Sequence, residues 1–284
     1  MKDWAQGTCD VDNMALRYFR SGGAHPPLVL VHGFTDNALY FSRAAHVLAS
    51  SWDVVAYDCR GHGKSSRANG FFSATDRVDD LLAVVDLLDL ERPAMMGHSM
   101  GAATVANAIV RRPGLSRGIV LEDPAWWESP AAWSPEAKTR FEQEARLRNS
   151  AWQDSIAAVQ KGTWEEGLRW RRTDCPSWTD EDVALSLQAR LEVELDVFTY
   201  LPSVRSTWRD SVPRFDCPTL LVLGENERGA IVSLSDADEA ARLNPMLRWV
   251  QIAGAGHAIR YDQFALFMQA SLAFLGELPT DSQQ

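Results

Sequence analysis

The chain lacks most of the features that would send it to a membrane, a nucleic acid or a metal. Its first residues, MKDWAQGTCD, contain no apolar segment of the kind that heads a secretory signal, and no apolar run approaches the roughly 18 residues needed to span a bilayer. A soluble, cytoplasmic protein is the expectation. There is no block of about five like charges, and the net charge of -10 opposes binding to nucleic acid or to an anionic membrane surface. The four cysteines, Cys9, Cys59, Cys175 and Cys217, include no C-x-x-C pair, which argues for reduced, structural thiols. None of the six histidines stands in an H-E-x-x-H or comparable ligand spacing, so no metal and no cofactor is expected. Internal repeats and low-complexity segments are also missing. These absences leave a small-molecule partner open.

What is present is a large globular chain: 284 residues, 46% of them hydrophobic, enough to bury one sizeable core with an inserted subdomain. Apolar β-rich runs alternate with helical patterns in the first half. Pro27 to Val31 reads as a strand, 38–49 as a helix and Asp53 to Tyr57 as a strand. Residues 73–90 form an amphipathic helix, with Ser73 and Asp76 placed as N-cap and N3 acid. Pro93 to Met96 is a short strand, 100–111 an alanine-rich helix and 118–122 another strand. This alternation predicts a mostly parallel sheet covered by helices.

From 124 to 212 no apolar strand run occurs; the segment is polar, helix-favouring and holds eight of the eleven tryptophans. The alternation resumes with a strand over 219–223, a helix over 235–243, a strand over 247–252 and a closing helix over 260–275. The division expected is therefore an α/β core of residues 1–123 and 213–284, interrupted by a helical cap of residues 124–212.

Within this frame, MMGHSMG (95–101) contains G-x-S-x-G at Gly97, Ser99 and Gly101, between a short apolar strand and a helix. A nucleophile on so tight a strand-to-helix turn needs small neighbours two positions away on each side, because a Cβ there would clash. The turn presents the serine hydroxyl and aims the helix N-terminus at developing negative charge. HGFTDN (32–37) follows the first strand of the alternation, where the N–H of Phe34 would complete an oxyanion hole with that of Met100. GAGHAIR (254–260) offers His257 on a small-residue loop, exposed enough to act as general base.

Together LVLVHGF, VVAYDCRGHGKSS, MMGHSMG and GAGH make the chain resemble the α/β-hydrolase family with an inserted helical cap. The resemblance covers nearly the whole sequence. It implies that Ser99 attacks a carbonyl, that His257 serves as base and then acid, and that water resolves an acyl-enzyme. The third member is open. The loop that usually carries the acid reads LGENERGAIVS (223–233); counting back from Ile231-Val232 the position is Gly229, and counting forward from Gly224 it is Glu227. Some members of the family place the acid instead at the end of the sixth strand, where LEDPAWW (121–127) offers Asp123. Asp123 is the preferred assignment and Glu227 the alternative. Glu122, one residue earlier, points to the opposite face if the strand continues through it.

Most cap tryptophans are expected to pack helices together, with Trp126 and Trp127 nearest the site and facing substrate. His32 and His98 read as structural, although His98 and Gly33, as neighbours of the serine and of the oxyanion loop, also border the substrate side. The function expected is hydrolysis of a carboxylic ester or lactone with a bulky apolar or aromatic body. Cofactor-free C–C hydrolysis of a diketone, or a ligand receptor built on the same fold, are the alternatives.

Overall fold

In the computed structural model, residues 1, 3–68, 70, 72–126, 134–200 and 208–279 are described. Eight strands form one sheet: β1 (Ala5–Val11), β2 (Met14–Arg20), β3 (Pro27–Val31), β4 (Asp53–Tyr57), β5 (Ala94–His98), β6 (Gly118–Glu122), β7 (Thr219–Leu223) and β8 (Leu247–Gln251). Their order is β1-β2-β4-β3-β5-β6-β7-β8, with β1 and β2 antiparallel and β4 through β8 parallel. The β1–β2 hairpin was not foreseen. Its signal is Asp12-Asn13, two residues with φ of 46° and 64° forming the tight turn that matches strand twist.

The helices are α1 (Ser42–Leu48), α2 (Ala74–Leu87), α3 (Met100–Arg111), α4 (Pro135–Lys161), α5 (Trp164–Asp174), α6 (Asp180–Glu192), α7 (Trp208–Ser211), α8 (Leu234–Leu243), α9 (Ile259–Asp262) and α10 (Phe264–Gly276). The helix expected over 38–49 is a 3-10 turn, Ala38–Phe41, running into α1, and the closing helix breaks into α9 and α10. Ser73 and Asp76 form the expected capping box of α2.

Period-two alternation divides the core between the two faces of the sheet. Val29, Val31, Val55 and Tyr57 pack on one side; Leu28, Leu30, Val54 and Ala56 pack on the other. Because both faces are covered, β3 to β7 are almost continuously buried, which is why they read as apolar runs. All four cysteines are buried and unpaired. Among the described residues no helix is long and apolar enough to cross a membrane.

Two features place a site. The chain leaves β3 for β4 on one side and returns to β5 on the other, so the carboxyl ends of β3 and β5 flank the crevice where the strand order reverses. The segment between β6 and β7, which holds α4, α5 and α6, is tied to the loops at that end. Asn37 Nδ2 donates to Glu192 Oε2 at 2.9 Å, the Ala68 N–H to Glu194 Oε2 at 2.9 Å, and the Trp178 indole to Asp262 Oδ1 at 2.8 Å.

Candidate active site

Ser99 sits between β5 and α3 with φ 52° and ψ -113°, a conformation that costs a non-glycine residue on the order of 1–3 kcal/mol. The neighbouring glycines make that turn possible. A Cβ at Gly97 would come 2.5 Å from the Ala102 nitrogen, and one at Gly101 would come 2.1 Å from the Val31 carbonyl oxygen. The turn is held by the Ser99 N–H donating to the Glu122 carbonyl at 2.9 Å and by the Ala125 N–H donating to the Ser99 carbonyl at 3.1 Å. Met100 opens α3, so its N–H has no carbonyl partner within the helix and faces the region of the serine.

At the end of the adjacent strand, Asp123 is also at positive φ, 38°, and is fully buried. Its carboxylate collects three donors. His257 Nδ1 donates to Oδ2 at 2.5 Å, the Ile231 N–H to Oδ2 at 2.8 Å and the Val232 N–H to Oδ1 at 3.0 Å. A proton held on Nδ1 leaves Nε2 of His257 as the lone-pair nitrogen. The Ile231-Val232 pair is the landmark by which the family's usual acid position was counted. Here the loop supplies backbone donors to an acid from the neighbouring strand. Glu227 lies in the exposed 3-10 turn Asn226–Arg228. Glu122 is no bystander: buried, it accepts from the Arg260 N–H at 2.9 Å and from Arg260 Nη1 at 2.5 Å.

His98 fastens the histidine loop from the other side. Nε2 bonds the His257 carbonyl at 3.0 Å, and Nδ1 bonds Asp36 Oδ2 at 3.2 Å. The two bonds fix the plane of the ring between Asp36 and the histidine loop. Burial pushes the Asp36 carboxyl up, but the bond and charge of His98, helped by Arg190 and Arg260, hold it well below the carboxylate range. Gly33 makes this packing possible, since a Cβ there would lie 2.6 Å from His98 Nδ1. His32 is spent structurally, with Nε2 accepting the Cys59 N–H at 2.9 Å.

These groups border a cavity of about 300 Å³, at the small end of ligand sites. Ser99, His98 and His257 line it, with Phe34, Thr35, Asp36 and Tyr40 from the loop after β3. The inserted helices add Trp152, Arg171, Asp174 and Arg190, and Trp178 comes from the α5–α6 connection. Sequence reasoning missed the two arginines and these two tryptophans. They lie on different elements, and no local spacing marks them. Trp126 is not among the lining residues. It is buried and stacks on Trp208 with ring centroids 5.1 Å apart, because the chain turns back over α3 right after Asp123 and the core takes the indole. Gly33 likewise supports His98 rather than lining the space. Trp127 lies outside the described residues. No group of three or more His, Cys, Asp or Glu gathers as a metal cluster among the described residues.

Known proteins resemble the chain over most of its length. The chain is 27% identical to N-formylmaleamate deformylase of Pseudomonas putida over 286 aligned positions, covering 95% of this chain and 96% of that protein. It is 25% identical to 2-(acetamidomethylene)succinate hydrolase of Mesorhizobium japonicum, covering 84% of each. An enol-lactonase structure from Burkholderia xenovorans superposes with a TM-score of 0.73 at 21% identity, over 95% of this chain and 100% of that one. Residues 26–263 match the alpha/beta hydrolase fold family, and the chain belongs to it.

Proposed function

We propose that this protein is a serine hydrolase that cleaves a carboxylic ester or lactone of compact size through an acyl-enzyme. Ser99 attacks the carbonyl carbon while His257 Nε2 takes its proton and passes it to the departing alkoxide. Asp123 holds the imidazole in the required tautomer and stabilises the imidazolium. The N–H groups of Phe34 and Met100 receive the oxyanion, and water then repeats the sequence on the acyl carbon. The observation that carries this reading is the 2.5 Å contact between His257 and Asp123, facing the same cavity as a serine held at positive φ. Phe34, Tyr40, Trp152 and Trp178 give that cavity aromatic walls, as a substrate with an apolar or aromatic body requires.

A second reading, hydrolysis of an N-acyl amide, is favoured by the two relatives whose names describe a deformylase and an acetamidomethylene-compound hydrolase. The same residues serve either bond; the leaving group differs. Purified protein assayed against small ethyl esters, lactones, N-formyl and N-acetyl amides and a diketone decides among them. Turnover of an ester or lactone supports the first reading and turnover of amides alone the second. Diketone cleavage alone moves the activity to C–C hydrolysis. Tight binding without acylation or turnover leaves a receptor.

A further inference from the structure

Two guanidinium groups stand side by side on the cavity wall built by the inserted helices. Arg171 on α5 and Arg190 on α6 both line the space that holds Ser99 and His257. Both bond one hydroxyl: Arg171 Nε donates to Ser186 Oγ at 2.6 Å, and Arg190 Nη1 donates to the same oxygen at 2.7 Å. A serine hydroxyl has two lone pairs. Both are spent on holding two cations together.

That arrangement is costly by itself. Burial and the charge of Arg171 press the Arg190 guanidinium below its ordinary range, and Asp36 offsets part of this. Among the described residues the protein's own carboxylates make ion-pair contact with Arg171 alone of the two. Asp174, 55% exposed, meets Arg171 at 3.4 Å. Asp36 is engaged with His98, and both oxygens of Asp262 are taken, by the Trp178 indole and the Gly256 N–H, each at 2.8 Å. Among the described residues no carboxylate is in ion-pair contact with Arg190, whose bonds go to the hydroxyl and carbonyl of Ser186. Asp36, Asp174 and Asp262 line the same cavity, and of these only Asp174 is in ion-pair contact with either guanidinium. Trp178, 5.0 Å from the Arg171 guanidinium carbon and stacked on Tyr261, fixes that group against an aromatic face.

We propose that Arg171 and Arg190 form a carboxylate-binding subsite, so that the substrate carries an ionised carboxylate at the end of its acyl portion, away from the carbonyl that Ser99 attacks. Paired planar guanidinium groups suit a carboxylate in both charge and geometry. The anion gives Arg190 a carboxylate partner beside Arg171 and positions the carbonyl over the serine. This rests on the serine-hydrolase reading and names the class of substrate it serves.

The test uses ethyl monoesters of succinate, glutarate and adipate beside ethyl butyrate, valerate and hexanoate, pairs that differ by a carboxylate in place of the terminal methyl. Wild-type protein is expected to favour the charged member of at least one pair by ten-fold or more in kcat/KM. Arg190→Gln and Arg171→Gln should each collapse that ratio, mainly through KM. Free glutarate or its neighbours in length should also inhibit and perturb the tryptophan emission of the wild type, with the matching diamides inert. A ratio near one together with no binding of any dicarboxylate overturns the subsite, even if the neutral esters are cleaved and the serine-hydrolase reading stands. Dicarboxylate binding without ester or amide turnover supports the subsite and removes the hydrolase reading. Should either arginine variant fail to fold, the wild-type contrast between dicarboxylate and diamide decides.

Discussion

His257 Nδ1 lies 2.5 Å from Asp123 Oδ2, across 134 residues of sequence, and the carboxylate it meets is fully buried. The loop after β7 serves that carboxylate with two N–H donors, those of Ile231 and Val232. Changing Asp123 to Asn removes the acceptor that sets the imidazole tautomer, a loss of roughly 10⁴-fold in kcat for a buried triad acid. Glu227, exposed on its 3-10 turn, should tolerate Gln within a few-fold. Steady-state kinetics on the pair assign the acid, and a dead Glu227→Gln beside an active Asp123→Asn would move it to the late loop.

Glu122, adjacent in sequence, has a different office. With Arg260 it forms a buried ion pair under Tyr40, Phe41 and Tyr261, and breaking such a pair from one side costs about 3–5 kcal/mol. Glu122→Gln is therefore expected to lower the melting temperature clearly while the folded fraction keeps its activity. Thermal denaturation followed by an assay normalised to folded protein separates the two effects.

Trp126 should behave as a core residue. Stacked on Trp208 and buried, it loses on the order of 3–5 kcal/mol when cut to Ala. Trp152, 38% exposed and lining the cavity, should instead shift preference among ester sizes with little loss of stability. Comparing denaturant midpoints with kcat/KM across a size series checks both, and the opposite pattern would put Trp126 against the substrate.

Asp36 gives the protein an acid limit. Because its folded-state carboxyl is held below the ordinary range, its contribution to stability is present above the unfolded pKa of about 3.9 and is lost as pH falls through the folded value. The wild type should therefore lose melting temperature on acidification more steeply than Asp36→Asn, which starts lower at neutral pH and has no such carboxylate to protonate. Parallel slopes for the two proteins would show that His98 does not depend on this charge.

The parallel sheet and the serine turn were legible because their constraints are local. Buried strands need continuous apolar runs, and the turn at Ser99 needs Gly97 and Gly101 within two residues, where a Cβ would strike Ala102 or Val31. The preference for Asp123 over Glu227 rests on a second fact, the absence of a carboxylate at Gly229. What stayed hidden is what tertiary packing makes. Arg171 and Arg190 sit on separate helices in a polar segment and meet only through Ser186. Trp126 and Trp178 look alike in sequence, yet one is drawn under the core by Trp208 and the other is drawn to the cavity by Asp262. The β1–β2 hairpin is hard to read because its strands, AQGTCDV and MALRYFR, contain no continuous apolar run and β1 exposes Gln6, Thr8 and Asp10.

Ser99 as the nucleophile is tested most directly by covalent labelling. A small alkyl fluorophosphonate, at whose phosphorus an activated serine oxygen displaces fluoride, should add one equivalent to the wild type in step with loss of activity. Peptide mapping by mass spectrometry should place the adduct on Ser99. Ser99→Ala should take up none, and His257→Ala should react at least 100-fold more slowly. An adduct on another residue, or a Ser99→Ala variant that retains a tenth of wild-type turnover, would contradict the mechanism.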